Sequence, residues 1–328
     1  MLEVWVVLGY LNHPVGCFGR VFEPSCSPRM RVAKRKKVCG KMDKMWGVAT
    51  RVPLVDLRQL CYEAALQPRP GDDVDFYLHV YHPRADSDDT KGGPRTIRVT
   101  SSGPFTNLDC EGPAALSAKR DPPLFLREDF SGTSMVSQLW VCGHPERRAW
   151  ALDIDPECFD WAYRKHIPKL TKAQKGALQL RIQDVLKVDE AEPEIPKCDV
   201  IAANNFSWQC FKEPTLMRIY FEGVLRGLND NGIFVLDIFG GKDTHVEGRE
   251  VISTHDMILD DGSSARFSYV YEQMNISADT HDMDIGVTFE FSDGSCLPHA
   301  FKYSWRVWPM TEVRIASPTH FRYQSCTD

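Results

Sequence analysis

The chain lacks the patterns that mark several large classes of protein. No apolar run in its 328 residues approaches the ~18 residues that a membrane helix needs. Its 11 cysteines form no C-x-x-C pair and no Cys/His cluster with zinc spacing, so we expect reduced thiols and no metal site. The early run VWVVLGYL is short and follows Glu3, where a signal peptide would carry positive charge. We therefore predict a cytoplasmic protein that is neither secreted nor membrane-spanning.

Positive charge is scarce outside the first 50 residues. That segment holds nine Lys or Arg against three Asp or Glu, a balance of +6 concentrated in RMRVAKRKK at 29–37. The whole chain carries −6, so residues 51–328 carry −12. Enzymes of nucleic acids usually need a basic face to neutralise phosphates, which makes nucleic acid an unexpected partner. We interpret the basic segment as a disordered tail, with nuclear localisation, nucleic-acid binding or organellar targeting as alternatives.

The turn that follows the strand-like run at 124–128 has one glycine. LFLREDFSGTS places Glu128 before Gly132, and 25 residues after Glu128 a second apolar run ends at Asp153. This pattern is typical of a nucleoside-binding βαβ unit, in which the second acid accepts both ribose hydroxyls. A dinucleotide site needs G-x-G-x-x-G to hold the pyrophosphate, so a phosphate cradle is not expected. S-adenosylmethionine, which has adenine and ribose but no phosphate, fits the pattern better.

Several motifs in order resemble those of class I S-adenosylmethionine-dependent methyltransferases. They are LREDFSGTS, ALDIDPECFDWA, IQDVLKV at 182–188, CDVIAANNFSW at 198–208 and GIFVLDIFGG at 232–241. More narrowly, the chain is similar to a poorly characterised methyltransferase group whose first motif reads L-R-E-D-F-C-G-T. The resemblance covers roughly residues 54–314 and implies S-adenosylmethionine as the cofactor.

The alternation of strand and helix patterns predicts the fold class. Strand-like runs at 124–128, 149–154, 178–182, 199–204 and 232–238 alternate with helical segments, which indicates a doubly wound, Rossmann-like parallel sheet. Four alternating runs follow strand five, separated by turn signals such as Asp261-Gly262, and predict an antiparallel β subdomain. We expect a poorly ordered basic segment at 1–52, a helical cap with a flexible insertion at 53–120, the cofactor-binding core at 121–241, the antiparallel subdomain at 242–310 and a divergent, truncated C-terminus at 311–328. Loss of the last strands would leave an edge of the sheet uncovered.

The resemblance assigns roles to individual residues. Asp153 would bind the ribose, Glu128 would lie near the amino group of the cofactor's methionine part, and Asp184 would accept from the adenine amine or be a turn residue. The other predicted cofactor-binding positions are Phe130, Gly132, Thr133, Ile154, Val185 and Asn204. Asn205, Ser207 and Trp208 follow strand four, where acceptor and methyl group would meet, and are the candidate acceptor-positioning residues.

Three functions are compatible with this reading. The first is an active methyltransferase that modifies an unidentified small molecule or protein. The second is a catalytically inactive, methyltransferase-like binding module, which the shortened C-terminus favours. The third is a nucleotide-dependent oxidoreductase, which the single-glycine turn disfavours. The methyl acceptor, the use of a general base and the oligomeric state are left open by the sequence.

Overall fold

The computed structural model describes residues 2–10, 52–65, 70–81, 122–240, 243–317 and 321–324. Most of the basic N-terminal segment and the predicted flexible insertion lie outside these ranges. The helices are α1 Leu54–Ala65, α2 Pro70–Val80, α3 Met135–Gly143, α4 Pro156–Lys165, α5 Lys172–Ala177, α6 Pro214–Gly227 and α7 Met310–Ala316. No helix in these ranges combines the length and the hydrophobicity that crossing a bilayer requires.

The described strands form two sheets. A seven-stranded parallel sheet contains β1 Leu2–Tyr10, β2 Phe125–Asp129, β3 Arg148–Asp153, β4 Leu178–Ile182, β5 Cys198–Ala203, β6 Leu228–Gly240 and β11 Phe321–Gln324. Their spatial order is β11-β1-β6-β5-β2-β3-β4. A separate four-stranded antiparallel sheet contains β7 Glu250–Ile258, β8 Ser264–Met274, β9 Asp282–Phe291 and β10 Cys296–Arg306. The predicted fold class, a Rossmann-like doubly wound sheet with an added antiparallel sheet, is confirmed.

The two ends of the chain differ from expectation. We predicted that residues 1–52 are poorly ordered and that one sheet edge is uncovered. Instead, β1 pairs in parallel with β6 from Glu3 to Tyr10, and β11 pairs with β1. A strand inside a parallel sheet is a continuous apolar run with no alternation, so VWVVLGY carries no period-two signal. The backbone groups of β6 are therefore paired by the start of the chain.

Each sheet is buried against helices or loops by apolar side chains. One face of the parallel sheet packs against α6 and α7, through residues such as Trp208, Tyr220 and Phe234, and the other packs against α2 and α3. The antiparallel sheet buries one face against α1, with alternate residues of β8 and β9 pointing inward. This period of two is the one that a half-covered antiparallel sheet imposes.

The order of the strands locates a crevice. β2 lies between β3 and β5, and the helices that follow these strands pack on opposite faces of the sheet. In open parallel sheets, ligands bind beyond the carboxyl ends of the strands at such a reversal of order. The loops after β2, β3, β5 and β6 meet there.

Candidate cofactor site

The loop after β2 has a strained backbone and an open side. Phe130, Gly132 and Ser134 have φ values of 56°, 52° and 57°, in the left-handed region that side chains other than glycine rarely adopt. The ring of Phe130 packs on Phe211 and Tyr220, with centroids 5.8 and 5.7 Å away, so only its backbone is available to a ligand. A Cβ built on Gly132 would meet no heavy atom within 4 Å. A ligand can thus approach the backbone at Gly132.

Asp153 ends β3 and connects this loop to the next one. Its Oδ2 accepts a hydrogen bond from the Gly132 N–H at 2.7 Å, and its Oδ1 accepts from the Asp155 N–H at 2.9 Å. A carboxylate has about four lone-pair positions, so two remain for hydroxyl donors. Burial raises the pKa of Asp153. Ile154 follows with 71% of its surface exposed, which provides an apolar platform beside the carboxylate. Asp155 caps α4 by accepting from Glu157 N–H.

The predicted adenine-binding residues lie beyond the next strand. The Oδ1 atom of Asp184 accepts from the Leu186 N–H at 2.9 Å, so the side chain caps a short 3₁₀ helix. Val185 is buried in the core and offers only its backbone. Gln183 N–H donates to the carbonyl oxygen of Asp153 at 2.9 Å, which holds the two strand ends together. The structure is compatible with both predicted roles of Asp184, an adenine contact and a turn residue, because the turn uses only one of its two carboxylate oxygens.

Glu128 has a structural contact that its sequence position did not indicate. Its Oε2 accepts from both the N–H and the hydroxyl of Ser137, at 2.9 and 2.5 Å. Ser137 lies in the first turn of α3, where backbone N–H groups have no partner within the helix. Burial raises the pKa of Glu128 to about 7. Thr133 is also buried, and its carbonyl accepts from Gln138, so its side chain is not at the surface of the crevice.

The loop after β5 provides the predicted acceptor-positioning residues. Asn205 and Phe206 have φ values of 59° and 58°, and Asn205 and Ser207 line an open cleft beside the crevice. The Asn204 amide nitrogen donates to the Tyr77 hydroxyl at 2.6 Å, which joins the loop to α2. Asn205 and Ser207 are thus accessible to a ligand, and Asn204 supports the loop.

Trp208 does not lie where we expected. Its side chain is completely buried in the core, its indole N–H donates to the carbonyl of Asp237 at 2.6 Å, and its ring packs on Phe221. The short 3₁₀ helix at Ser207–Cys210 turns the side chain inward, so it cannot contact an acceptor. A different tryptophan, Trp305 of β10, lines the cleft. Local sequence did not distinguish them, because each lies between two polar residues, Ser207 and Gln209 or Ser304 and Arg306.

Four carboxyl groups converge around the crevice. Asp73 from α2 and Asp237 from the end of β6 lie near Glu128 and Asp153. Burial, and then Asp237 and Glu128, hold the pKa of Asp73 well above its usual range. Burial raises the pKa of Asp237 to about 7, although the Phe206 N–H donates to its Oδ1 at 2.6 Å. Among the described residues, no cation pairs with any of the four.

Asp73 was not among the predicted site residues. Asp237 had a detectable signal, since it ends the apolar run GIFVLDIF in the way that Glu128 and Asp153 end theirs. Asp73 had none, because an acid in the first turn of a helix is ordinary. Within the described ranges, no group of three or more His, Cys, Asp or Glu side chains is arranged to hold a metal ion.

Comparisons with known proteins give only distant structural likenesses. No family model matches the chain, and no curated protein matches it. A solved S-adenosylmethionine-dependent methyltransferase from Clostridium acetobutylicum is 15% identical with a TM-score of 0.43, over 58% of this chain and 70% of that one. DesVI of Streptomyces venezuelae is 12% identical with a TM-score of 0.45, over 59% and 73%. The sugar N-methyltransferase KedS8 from Streptoalloteichus is 14% identical with a TM-score of 0.43, over 59% and 70%. Because these likenesses are weak, the function has to be inferred from the site itself.

Proposed function

We propose that the chain is an S-adenosylmethionine-dependent methyltransferase that acts on a small-molecule or protein acceptor. The observation that carries the proposal is the combination of Asp153, the open backbone at Gly132 and a set of carboxyl groups without a cationic partner. A ligand that suits all three has ribose hydroxyls and a positive charge. S-adenosylmethionine has both, since its sulfur is a sulfonium and its amino group is protonated.

The same groups argue against a dinucleotide. A pyrophosphate needs backbone N–H groups directed at it, or cationic side chains, near the first loop. Here Gly132 N–H is already donated to Asp153, and the surrounding side chains are acidic. Bringing two phosphate charges beside these carboxyl groups would cost Coulomb energy in a partly dehydrated crevice. We therefore do not favour an oxidoreductase.

Each predicted contact has a residue that could provide it. Asp153 would accept from the ribose hydroxyls, Ile154 would pack on the adenine, and Asp184 or the backbone of Val185 would bind the adenine edge. Asp237 and Glu128 would lie near the charged end of the cofactor. When bound, S-adenosylmethionine supplies a methyl group on an activated sulfur, and the protein chiefly aligns the acceptor.

Calorimetric titration tests the proposal directly. The full chain would be titrated with S-adenosylmethionine, S-adenosylhomocysteine and NADH, as wild type and as Asp153→Ala. We expect micromolar affinity for the first two ligands, a loss of about 100-fold in the variant, and no NADH binding. The size of the loss follows from about 1.5–3 kcal/mol for each hydrogen bond to a charged group.

Asp199→Ala is the matched control. Asp199 also holds two backbone N–H groups, those of Leu124 and Phe125, but at the amino end of the sheet. This variant should lose stability and keep its affinity for the cofactor. If a folded wild-type chain binds neither S-adenosyl compound, the proposal is wrong. If it binds both but transfers no methyl group in a broad substrate screen, the inactive binding module is the better description.

A further inference from the structure

A second cavity adjoins the cofactor site and has a different chemical character. It is an open cleft between α1, the loop after β5, the end of β6 and the inner face of the antiparallel sheet. Seven of its eleven lining residues are aromatic, namely Tyr62, Phe206, Phe239, Tyr269, Tyr271, Tyr303 and Trp305. We call it the aromatic cage.

The aromatic rings come from five different parts of the chain. Tyr62 projects from α1, Phe206 from the loop after β5, and Phe239 from β6. Phe206, Phe239 and Trp305 contact one another at 5.6–6.0 Å between centroids, with interplanar angles of 61–73°. Rings at such angles contact one another edge to face and enclose a space, whereas stacked rings would form a flat layer. The remaining rings belong to β8 and β10.

Two carboxyl groups and one arginine lie near the aromatic cage. None of the eleven described lining residues is Lys, Arg or His, although Arg249 lies close enough to Tyr271 to lower its pKa against the effect of burial. Asp237 precedes Phe239 by two positions and faces the same side of β6, and its carboxylate accepts from the N–H of Phe206. Burial, then the neighbouring Cys158, Asp237 and Asp153, raise the pKa of Tyr62 to about 12, so both carboxyl groups lie close to this end of the cage. The two carboxyl groups favour a cationic ligand over an anionic one beside Tyr62.

One polar group in the cage has no partner. The hydroxyl of Tyr271 is buried and forms no hydrogen bond among the described residues. Burying an unpaired hydroxyl costs about 1–3 kcal/mol, so a native structure normally provides a partner. Tyr271 lines the aromatic cage, so a bound ligand could be that partner.

We propose that the aromatic cage binds the methyl acceptor and that the acceptor is an organic amine. It arrives as its ammonium ion and gives one proton to the carboxylate of Asp237. The freed lone pair then attacks the methyl carbon, and S-adenosylhomocysteine leaves. This inference rests on the proposed methyltransferase function. Aromatic faces attract organic cations by about 0.5–2 kcal/mol each, depending on desolvation. Asn205 and Ser207, which lie between the cage and the cofactor site, would orient the nitrogen. Phosphorylated and carboxylated acceptors are disfavoured by the absence of a cation in the lining.

Two probes of equal shape, one charged and one neutral, show whether the aromatic cage selects its ligand by charge or by size. Choline and its neutral isostere 3,3-dimethylbutan-1-ol would be titrated into the full chain by calorimetry, with tryptophan fluorescence as a second readout because Trp305 lines the cage. The expected result is millimolar choline binding at least tenfold tighter than that of the isostere. In the same samples, S-adenosylhomocysteine binding reports on the cofactor site.

A matched pair of variants locates the binding site. Tyr271 and Phe267 lie on the same face of β8 with 2% and 1% exposure, but only Tyr271 lines the cage. Tyr271→Leu should weaken choline binding about tenfold, and Phe267→Leu should leave it unchanged. Tyr271→Phe keeps the ring and removes the unpaired hydroxyl, so it should weaken choline binding less than Tyr271→Leu does, and it serves as the test if the leucine variant does not fold.

The outcomes separate the two proposals. Equal binding of choline and its isostere, or no choline binding by a chain that binds S-adenosylhomocysteine, would overturn the aromatic cage and leave the methyltransferase function standing. Choline binding that Phe267→Leu weakens as much as Tyr271→Leu would also overturn it. Choline binding by a chain that binds no S-adenosyl compound would contradict the proposed function, and with it the assignment of the cage to an acceptor.

Discussion

Acidic side chains have opposite properties in the two sheets. At the carboxyl edge of the parallel sheet, burial raises the pKa values of Glu128 and Asp237 to about 7. On the antiparallel sheet, hydrogen bonds from Arg266 lower the pKa of Asp256, and those from Ser304 and Asn275 lower that of Asp284. The first set is buried without a cation, which costs stability, and the second is exposed and satisfied. The difference is what the proposed positively charged ligand at the parallel edge would require.

The two sheets also divide the proposed site between them. The parallel sheet provides strand ends whose polar side chains and strained loops surround a nucleoside-sized crevice. The antiparallel sheet provides an inner face of alternating aromatic residues that closes over the neighbouring cleft. Cofactor and acceptor would then bind to different sheets and meet at the loop after β5. Three experiments, on ion pairs, on carboxyl groups and on glycines, test how far the two sheets differ.

The largest expected effect is a loss of stability when a buried ion pair is broken. Arg127 and Asp129 form a pair within β2 that is almost completely buried, and Asp129 also accepts from Tyr220 at 2.9 Å. Arg127→Met should lower the free energy of unfolding by about 3–5 kcal/mol, because it leaves a buried carboxylate without its cation. Urea unfolding measures this loss.

The control for this experiment lies on the antiparallel sheet. Arg266 and Asp256 pair across β7 and β8 with both side chains largely exposed. Arg266→Met should leave the urea midpoint unchanged, because exposed pairs are screened by water. Equal losses in the two variants would contradict the distinction between a buried, compensated pair and a surface one.

The next effect is on the dependence of stability on pH. The pKa of Asp237 is raised in the folded chain to about 7, so the folded chain holds a proton that the unfolded chain releases above about pH 4. Stability should fall as the pH rises from about 4 to about 7, by up to about 4 kcal/mol for a shift of this size. Asp237→Asn should flatten this part of the curve in chemical unfolding experiments.

Asp284 should behave in the opposite sense. Its pKa is lowered, so its contribution to stability is present above its unfolded pKa and is lost as the pH falls through the folded value. Asp284→Asn should therefore change the curve only in acid. An unchanged slope between pH 4 and 7 in Asp237→Asn would show that folding does not raise the pKa of Asp237.

The smallest effect on stability comes from two glycines with left-handed backbones. Gly132 has φ +52° at the cofactor site, and Gly262 has φ +80° in the turn between β7 and β8; a Cβ would meet no atom within 4 Å at either. Gly132→Ala and Gly262→Ala should each cost about 1–2 kcal/mol. Only Gly132→Ala should weaken S-adenosylmethionine binding, by tenfold or more, since its methyl group enters the proposed ligand space. If both variants bind S-adenosylmethionine with similar affinity, the ligand does not lie against Gly132.

Much of the fold could be predicted because its signals are local. The strands β2 to β6 and the acids Glu128, Asp153 and Asp237 at their ends follow from runs of apolar residues that end in polar ones. The alternation in β8 and β9 follows from the period of two. β1 was missed because its sequence VWVVLGY shows no alternation, and its pairing with β6 joins residues more than 200 positions apart.

The sequence by itself determined the order of the elements, the single-glycine turn and the acids at the strand ends, since each depends on residues that are neighbours along the chain. Only the tertiary structure decided which side chains share a space. It placed Trp208 in the core and Trp305 at the cleft, and it gathered Tyr62, Phe239 and Tyr271 around one cavity. It also buried Asp73 and brought it near Asp237, and burial first and Asp237 second raise the pKa of Asp73. The physical reason is that burial and electrostatic interaction depend on distance in space, which long-range packing of the two sheets sets.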